Sequence, residues 1–278
     1  MPRGITPRRP TKTGRSEVTR PRVSRLTLIS PSPPRAERKG ALPGARSLAA
    51  PGRYRPTAPE RVREILARLD RLYPDVTCAL AHRSPWELLV ATILSAQSTD
   101  VRVNMVTPEL FKKYPTVQDF ARLEPRELEP DIRSTGFFRN KSKSLVGAAR
   151  KILEDFEGKV PDSMTGLLIL PGVARKTANV VLGTWFGKAE GVVVDTHVHR
   201  ISRRLELTRN HDPKKIEVDL MRLIPREKWI LFAHQLIWHG RRLCVARGPK
   251  CADCLLENLC HAADKTWSTV ARHSAAGA

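Results

Sequence analysis

Four of the chain's five cysteines fall inside one stretch of 17 residues, Cys244, Cys251, Cys254 and Cys260, spaced C-x6-C-x2-C-x5-C. No other feature restricts the fold so tightly, because four ligands in so short a loop must converge on one centre. A secreted disulfide scaffold would spread its cysteines over a small domain. In an intracellular chain such clustering points to metal or cluster ligation. Four thiolates without a histidine suit either a tetrahedral zinc ion or a four-iron, four-sulfur cluster (4Fe–4S). The fifth thiol, Cys78, reads as a small packing residue.

The compartment and the partner class come from charge. The chain has 278 residues, a formal net charge of +21 and a pI near 10.5, which calls for an anionic partner, nucleic acid or an acidic membrane. Residues 1–56 hold 14 Lys and Arg against Glu17 and Glu37, with ten prolines and almost no periodic apolar pattern. They read as a disordered basic tail that attracts polyanions without specificity. No apolar run approaches the roughly 18 residues that a membrane helix needs, and "LTLIS" is too short for a secretory core. The chain therefore reads as intracellular: cytoplasmic and nucleoid-associated in a bacterium, nuclear or organellar in a eukaryote.

From Thr57 onward helical periodicity dominates. Val62, Ile65, Leu66, Leu69 and Leu72 share one face. "SPWELLVATILSAQ" supplies Ser84 as N-cap, Pro85 at the first helical position and Glu87 to close a capping box. Thr107 and Pro108 predict a further start. Leu145, Val146, Ala149, Ile152, Leu153 and Phe156 form a stripe that stops at Gly158. Helices are also predicted over 164–169, 177–186, 213–223 and 229–239. "GVVVD" is the nearest approach to a strand, so the fold class is all-α.

The chemistry gathers around "LPGVARKTANVV", residues 170–181. Leu-Pro-Gly between two helices makes a tight turn in which Gly172 can take a positive φ. The unpaired N–H groups opening the next helix can then hold a phosphate oxygen. An ordinary helix connection has the same letters. Lys176 in the first turn of that helix is disfavoured by the dipole, a field that favours the uncharged, nucleophilic amine over the ammonium. Such an amine can attack C1′ of a sugar, displace a damaged base and form a Schiff base; a plain surface lysine is the alternative. Asp195, at the end of "VVVD", can accept the amine's proton or stabilise charge developing on the sugar. It is also placed to cap the helix starting at Thr196, and the two roles are compatible.

Together, "LPGVARKTANVV", the "VDTHVHR" about twenty residues on, and the four-cysteine spacing resemble the endonuclease III branch of the helix-hairpin-helix DNA glycosylases with a Gly/Pro-Asp loop. The resemblance runs from about Thr57 to about Ala262. It implies a base-excision-repair DNA glycosylase with AP lyase activity on oxidised pyrimidines in damaged double-stranded DNA, acting as a monomer and away from membranes. Lys176 and Asp195 would be catalytic. A structural 4Fe–4S cluster would sit on Cys244, Cys251, Cys254 and Cys260. DNA contacts would come from Gly172, Ala174 and Arg175 in the hairpin and from Arg247 and Lys250 in the loop "VARGPK". Gln97 in "LSAQSTD" and Phe137 in "TGFFRN" would fill the space left by an extruded nucleotide, with Phe138 able to exchange roles with Phe137.

The implied architecture is two helical lobes flanking a DNA-binding cleft: a helix-hairpin-helix six-helix barrel lobe over 78–188, and an iron–sulfur lobe from 57–77 plus 189–264. Residues 265–278 would form a flexible C-terminus. Ala174 departs from the second glycine usual in the family; at a helical φ near −60° it would be harmless. Three rivals stand beside this reading. One is an adenine-mismatch glycosylase of the same fold, which usually lacks the lysine. The others are a non-catalytic DNA-binding module, and zinc in place of iron and sulfur.

Overall fold

The structure is a computed structural model and describes residues 54–269. All but the last three residues of the expected basic tail lie outside the described residues, as do 270–278. Those last three are tied down: Tyr54 donates from its hydroxyl to Glu206 Oε2 at 2.5 Å, and its ring lies against His261. At the other end, residues 265–269 make specific contacts with the cysteine loop. Lys265 is buried, pairs with Glu257 and donates to the Cys260 carbonyl at 3.0 Å, while Thr269 N–H donates to Glu257 at 2.9 Å.

Among the described residues there are eleven α-helices and no strand. In chain order they are α1 (Pro59–Leu72), α2 (Pro85–Leu94), α3 (Asp100–Lys113), α4 (Val117–Arg122), α5 (Pro125–Ile132), α6 (Phe138–Phe156), α7 (Met164–Leu168), α8 (Arg175–Thr184), α9 (Thr196–Arg204), α10 (Pro213–Leu223) and α11 (Trp229–Arg242). The expected all-α class holds.

Two hydrophobic cores organise these helices. The first takes its buried residues from Leu80 to Leu182. At its centre α2 is apolar all round, as a helix enclosed by others must be, with Leu88, Leu89 and Leu94 fully buried. Helices α3, α6 and α8 pack on it, and α4 and α5 close over α6. The second core joins α1 to residues 192–256, so Leu69 shares one core with Phe232 and Leu236 across a long sequence separation. The chain thus leaves the second core after Tyr73, builds the first, and returns at Val192.

Local signals explain most helix ends. Ser84 caps α2 by accepting from Glu87 N–H at 3.1 Å, although the Glu87 carboxylate reaches back to Arg83 N–H rather than to Ser84. α6 ends as expected near Gly158 (φ +78), whose N–H donates to Ile152 O at 3.0 Å. The start predicted at Thr107 is wrong. α3 begins at Asp100 with Thr99 as N-cap, and Pro108 lies inside it, with Thr107 buried. The proline's fixed φ suits a helix, but it costs α3 one backbone bond and crowds the carbonyl of Asn104, four residues back. Periodicity does not signal α4 or α5, which are too short to show a stripe. They are set by a Thr116–Asp119 capping box and by Pro125 in the first turn.

Candidate active site and nucleic-acid interface

The hairpin is α7, the turn through Pro171 and Gly172, and α8. Leu170 and Val173 are buried on either side, and Val173 N–H donates to Leu170 O at 3.1 Å, closing the turn. Gly172 has φ +78, and a Cβ there would lie 2.5 Å from Ser144 Cβ on α6. Glycine is therefore required twice over, by backbone conformation and by close packing. Ala174 is the N-cap of α8, with φ −96° and ψ 168° and no side-chain capping bond. The expectation of a helical φ fails, but extended backbone takes any residue without strain, so the methyl is tolerated for that reason. The first backbone N–H groups of α8 have no acceptor within the helix and open outward beside two exposed residues, Gly172 and Ala174.

Lys176 lies in the first turn of α8 and is exposed. Asp195, half-buried, is the N-cap of α9, and its Oδ1 accepts from both His197 N–H and Val198 N–H at 2.8 Å. That fixes the carboxylate in one rotamer while no described residue bonds Oδ2. Both side chains line one cleft, walled by Ser95 and Ala96 after α2, Ala174 and Val180 around α8, and Ile237 and Trp238 on α11. The two catalytic candidates, 19 positions apart in sequence and on different cores, thus open onto one space.

Arg175 does not point that way. Its Nε donates to both oxygens of the buried Glu217 at 3.0 Å, and Asn179 Nδ2 donates to Oε1 at 2.9 Å. That ion pair holds the start of α8 against α10. Sequence reasoning also misses His234, a cleft-lining imidazole on α11 held below its usual range by burial. It misses the Arg241–Asp100 ion pair at the cleft wall as well. Cys78 packs on the first core as expected and also faces the cleft, its thiol pushed up by burial.

Gln97 and Phe137 share an unusual backbone. Their φ values are +54° and +49°, a region that non-glycine residues rarely occupy. Both side chains are exposed, Phe137 by 61%. Phe138 packs against the first core, with the Arg133 and Arg139 guanidinium groups near its ring, so of the two rings only Phe137 stands clear.

The four clustered cysteines line a single cavity with Ile201, Leu205 and Leu256. Among the described residues no three His, Cys, Asp or Glu side chains converge closely enough to hold one metal ion. Burial pushes the Cys254 thiol up to about 12. The loop is braced by contacts that spacing does not announce. Arg200 Nη2 donates to Cys244 O at 2.8 Å, and Arg204 Nη1 donates to Val245 O at 2.8 Å and to Cys244 Sγ at 3.2 Å. His239, lowered to about 4 by burial, has Nε2 at 3.4 Å from Cys254 Sγ and Nδ1 at 3.1 Å from the Tyr73 hydroxyl. The i, i+4 spacing of Arg200 and Arg204 on α9 is the signal that could have found two of these braces. Arg247 and Lys250 are exposed on the loop surface.

Residues 90–226 match the family described as HhH-GPD superfamily base excision DNA repair protein. The chain is 56% identical over 204 residues to endonuclease III of Synechocystis sp., covering 73% of this chain and 93% of that protein. Against endonuclease III of Bacillus subtilis it is 44% identical over 201 residues, covering 72% and 91%. Among solved structures, it resembles one described as a trapped endonuclease III–DNA covalent intermediate, with a TM-score of 0.70, 42% identity, and 73% and 95% of the two chains covered.

Proposed function

This chain belongs to the endonuclease III family within the HhH-GPD superfamily, and on that premise we propose that it excises oxidised pyrimidines from duplex DNA and then cuts the strand at the abasic site it has made. Base-excision DNA glycosylase activity with AP lyase activity is what the family carries. The observation that supports its assignment to particular residues is that Lys176 and Asp195 line one cleft.

In the proposed reaction the Lys176 amine attacks C1′ as the glycosidic C–N bond breaks, and the base leaves with that electron pair and takes up a proton. Asp195 Oδ2 accepts the proton released by the attacking nitrogen. Opening of the sugar ring gives an imine between Nζ and C1′. Loss of a C2′ proton then expels the 3′ phosphate, and water hydrolyses the imine to return the lysine. Gln97 and Phe137 would occupy the space left in the stack, while the α8 amides, Arg247 and Lys250 grip phosphates without reading sequence. We read the two cores as lobes over 78–188 and over 57–77 plus 189–264, with the reaction cleft between them.

The donor set also fits a 4Fe–4S cluster on Cys244, Cys251, Cys254 and Cys260. Zinc at about 2.3 Å from each sulfur would draw all four thiolates onto one ion, whereas a cluster takes one thiolate per iron and asks for a wider ring. All four cysteines line one cavity walled by Ile201, Leu205 and Leu256, an apolar enclosure that suits a cluster held by one thiolate per iron. When bound, the cluster crosslinks the loop that carries Arg247 and Lys250. Purified protein is expected to be brown, with broad absorption near about 400 nm and about four irons per chain. Cys251→Ser is expected to lose both the colour and duplex affinity. A colourless protein with one zinc per chain would contradict the cluster.

The function itself is tested with duplexes carrying single lesions, base release and strand nicking being monitored separately. Release of thymine glycol and then a nick is expected. Release of adenine alone would favour the adenine-mismatch reading, and binding without release would favour the non-catalytic one.

A further inference from the structure

In sequence Lys141 looks like one of several surface cations at the start of α6, yet it is 4% exposed. Its Nζ donates to Leu94 O and to Thr135 O, both at 2.8 Å, and no carboxylate among the described residues pairs with it. An ammonium without a counterion in a protein interior is costly unless its hydrogen bonds are well made. Leu94 ends α2, and Thr135 ends the 3-10 turn Arg133–Thr135. Both carbonyls are of the kind that helix ends leave unpaired, and the local dipole there favours a cation.

Each of these carbonyls stands at the root of an exposed segment. Three residues after Leu94 comes Gln97, and two after Thr135 comes Phe137, both exposed and both with positive φ. The other non-glycine residues with positive φ among those described are Glu157 and Glu206, which lie just past the ends of α6 and α9. A backbone held in this region persists only where its surroundings fix it. Here one side chain grips the roots of both segments, which come from separate stretches of the chain.

We propose that Lys141 is a positioning residue that ties the Gln97 and Phe137 loops to one point, so that both tips enter the vacated space in the duplex together and at fixed separation. The proposal rests on the roles given above to Gln97 and Phe137. It also explains the buried cation: two carbonyls need one donor group that reaches both, and an apolar residue would leave them unpaired.

Lys141→Met keeps the length and removes the donors and the charge; Lys141→Gln, which retains amide donors, is the milder variant should the first fold poorly. Two substrates are compared under single turnover, a lesion in duplex DNA and a preformed abasic site in a single strand. The second has neither a base to extrude nor an opposite base to hold apart. Either variant is expected to lose about 30-fold on the duplex lesion and no more than about twofold on the single strand. 2-Aminopurine opposite the lesion should brighten less on binding to the variant than on binding to the wild type. Because Lys141 acts through the wedge, adding Lys141→Met to Phe137→Ala should cost far less than adding it to the wild type. Equal losses on both substrates, or losses that multiply fully in the double variant, would overturn the proposal. If Phe137→Ala and Gln97→Ala leave the duplex rate unchanged, the wedge reading itself fails and the proposal falls with it, a result distinct from failure at Lys141 alone.

Discussion

Lys176→Gln is expected to lower both base release and strand nicking by about 10⁴-fold or more, because it removes the proposed nucleophile. The same substitution should leave the melting temperature unchanged or raise it by about 1–4 °C. Lys176 sits in the first turn of α8, where the helix dipole disfavours a cation by roughly 0.3–1 kcal/mol, and its exposed side chain supports no packing. Thermal melts together with single-turnover rates on a thymine glycol duplex check both halves. A variant as active as the wild type removes Lys176 from the reaction, whatever its stability.

Asp195→Asn separates two roles of one carboxylate. Asn is as good an N-cap as Asp, and the bonds from His197 N–H and Val198 N–H to Oδ1 can be kept by its amide oxygen. Stability should therefore change by no more than about 1 kcal/mol. The proposed proton acceptor and its negative charge are lost, so the rate should fall by about 10²–10⁴-fold, or roughly 3–5 kcal/mol in the barrier. Asp195→Ala should lose the cap as well, melting lower with a similar kinetic defect. If Asp195→Asn were fully active and only Asp195→Ala melted lower, capping would be the carboxylate's whole contribution.

The features legible in the sequence are those whose cause is local. Ser84 and Asp195 cap the helices after them because a side-chain oxygen needs to reach only two or three residues ahead. Gly172 is legible because a tight turn demands a φ that other residues resist. The start of α3 is not, because Thr107-Pro108 carries a cap's letters inside a helix that Thr99 has already begun. The Arg175–Glu217 pair is not legible either, because nothing near Arg175 in sequence shows that Glu217, 42 residues on, arrives beside it. The braces of the cysteine loop and the burial of Lys141 are hidden for the same reason. Each depends on a carbonyl or thiol delivered by distant chain, and a single letter does not reveal which side of a helix will be covered.

The most direct measurement is to incubate the wild-type protein with a duplex bearing one oxidised pyrimidine in the presence of borohydride, then to digest the covalent complex and sequence the modified peptide. A reduced sugar adduct is expected on the ε-nitrogen of Lys176, within the peptide that contains "TANVV". An adduct on another lysine, or efficient base release with no adduct at all, would contradict the account.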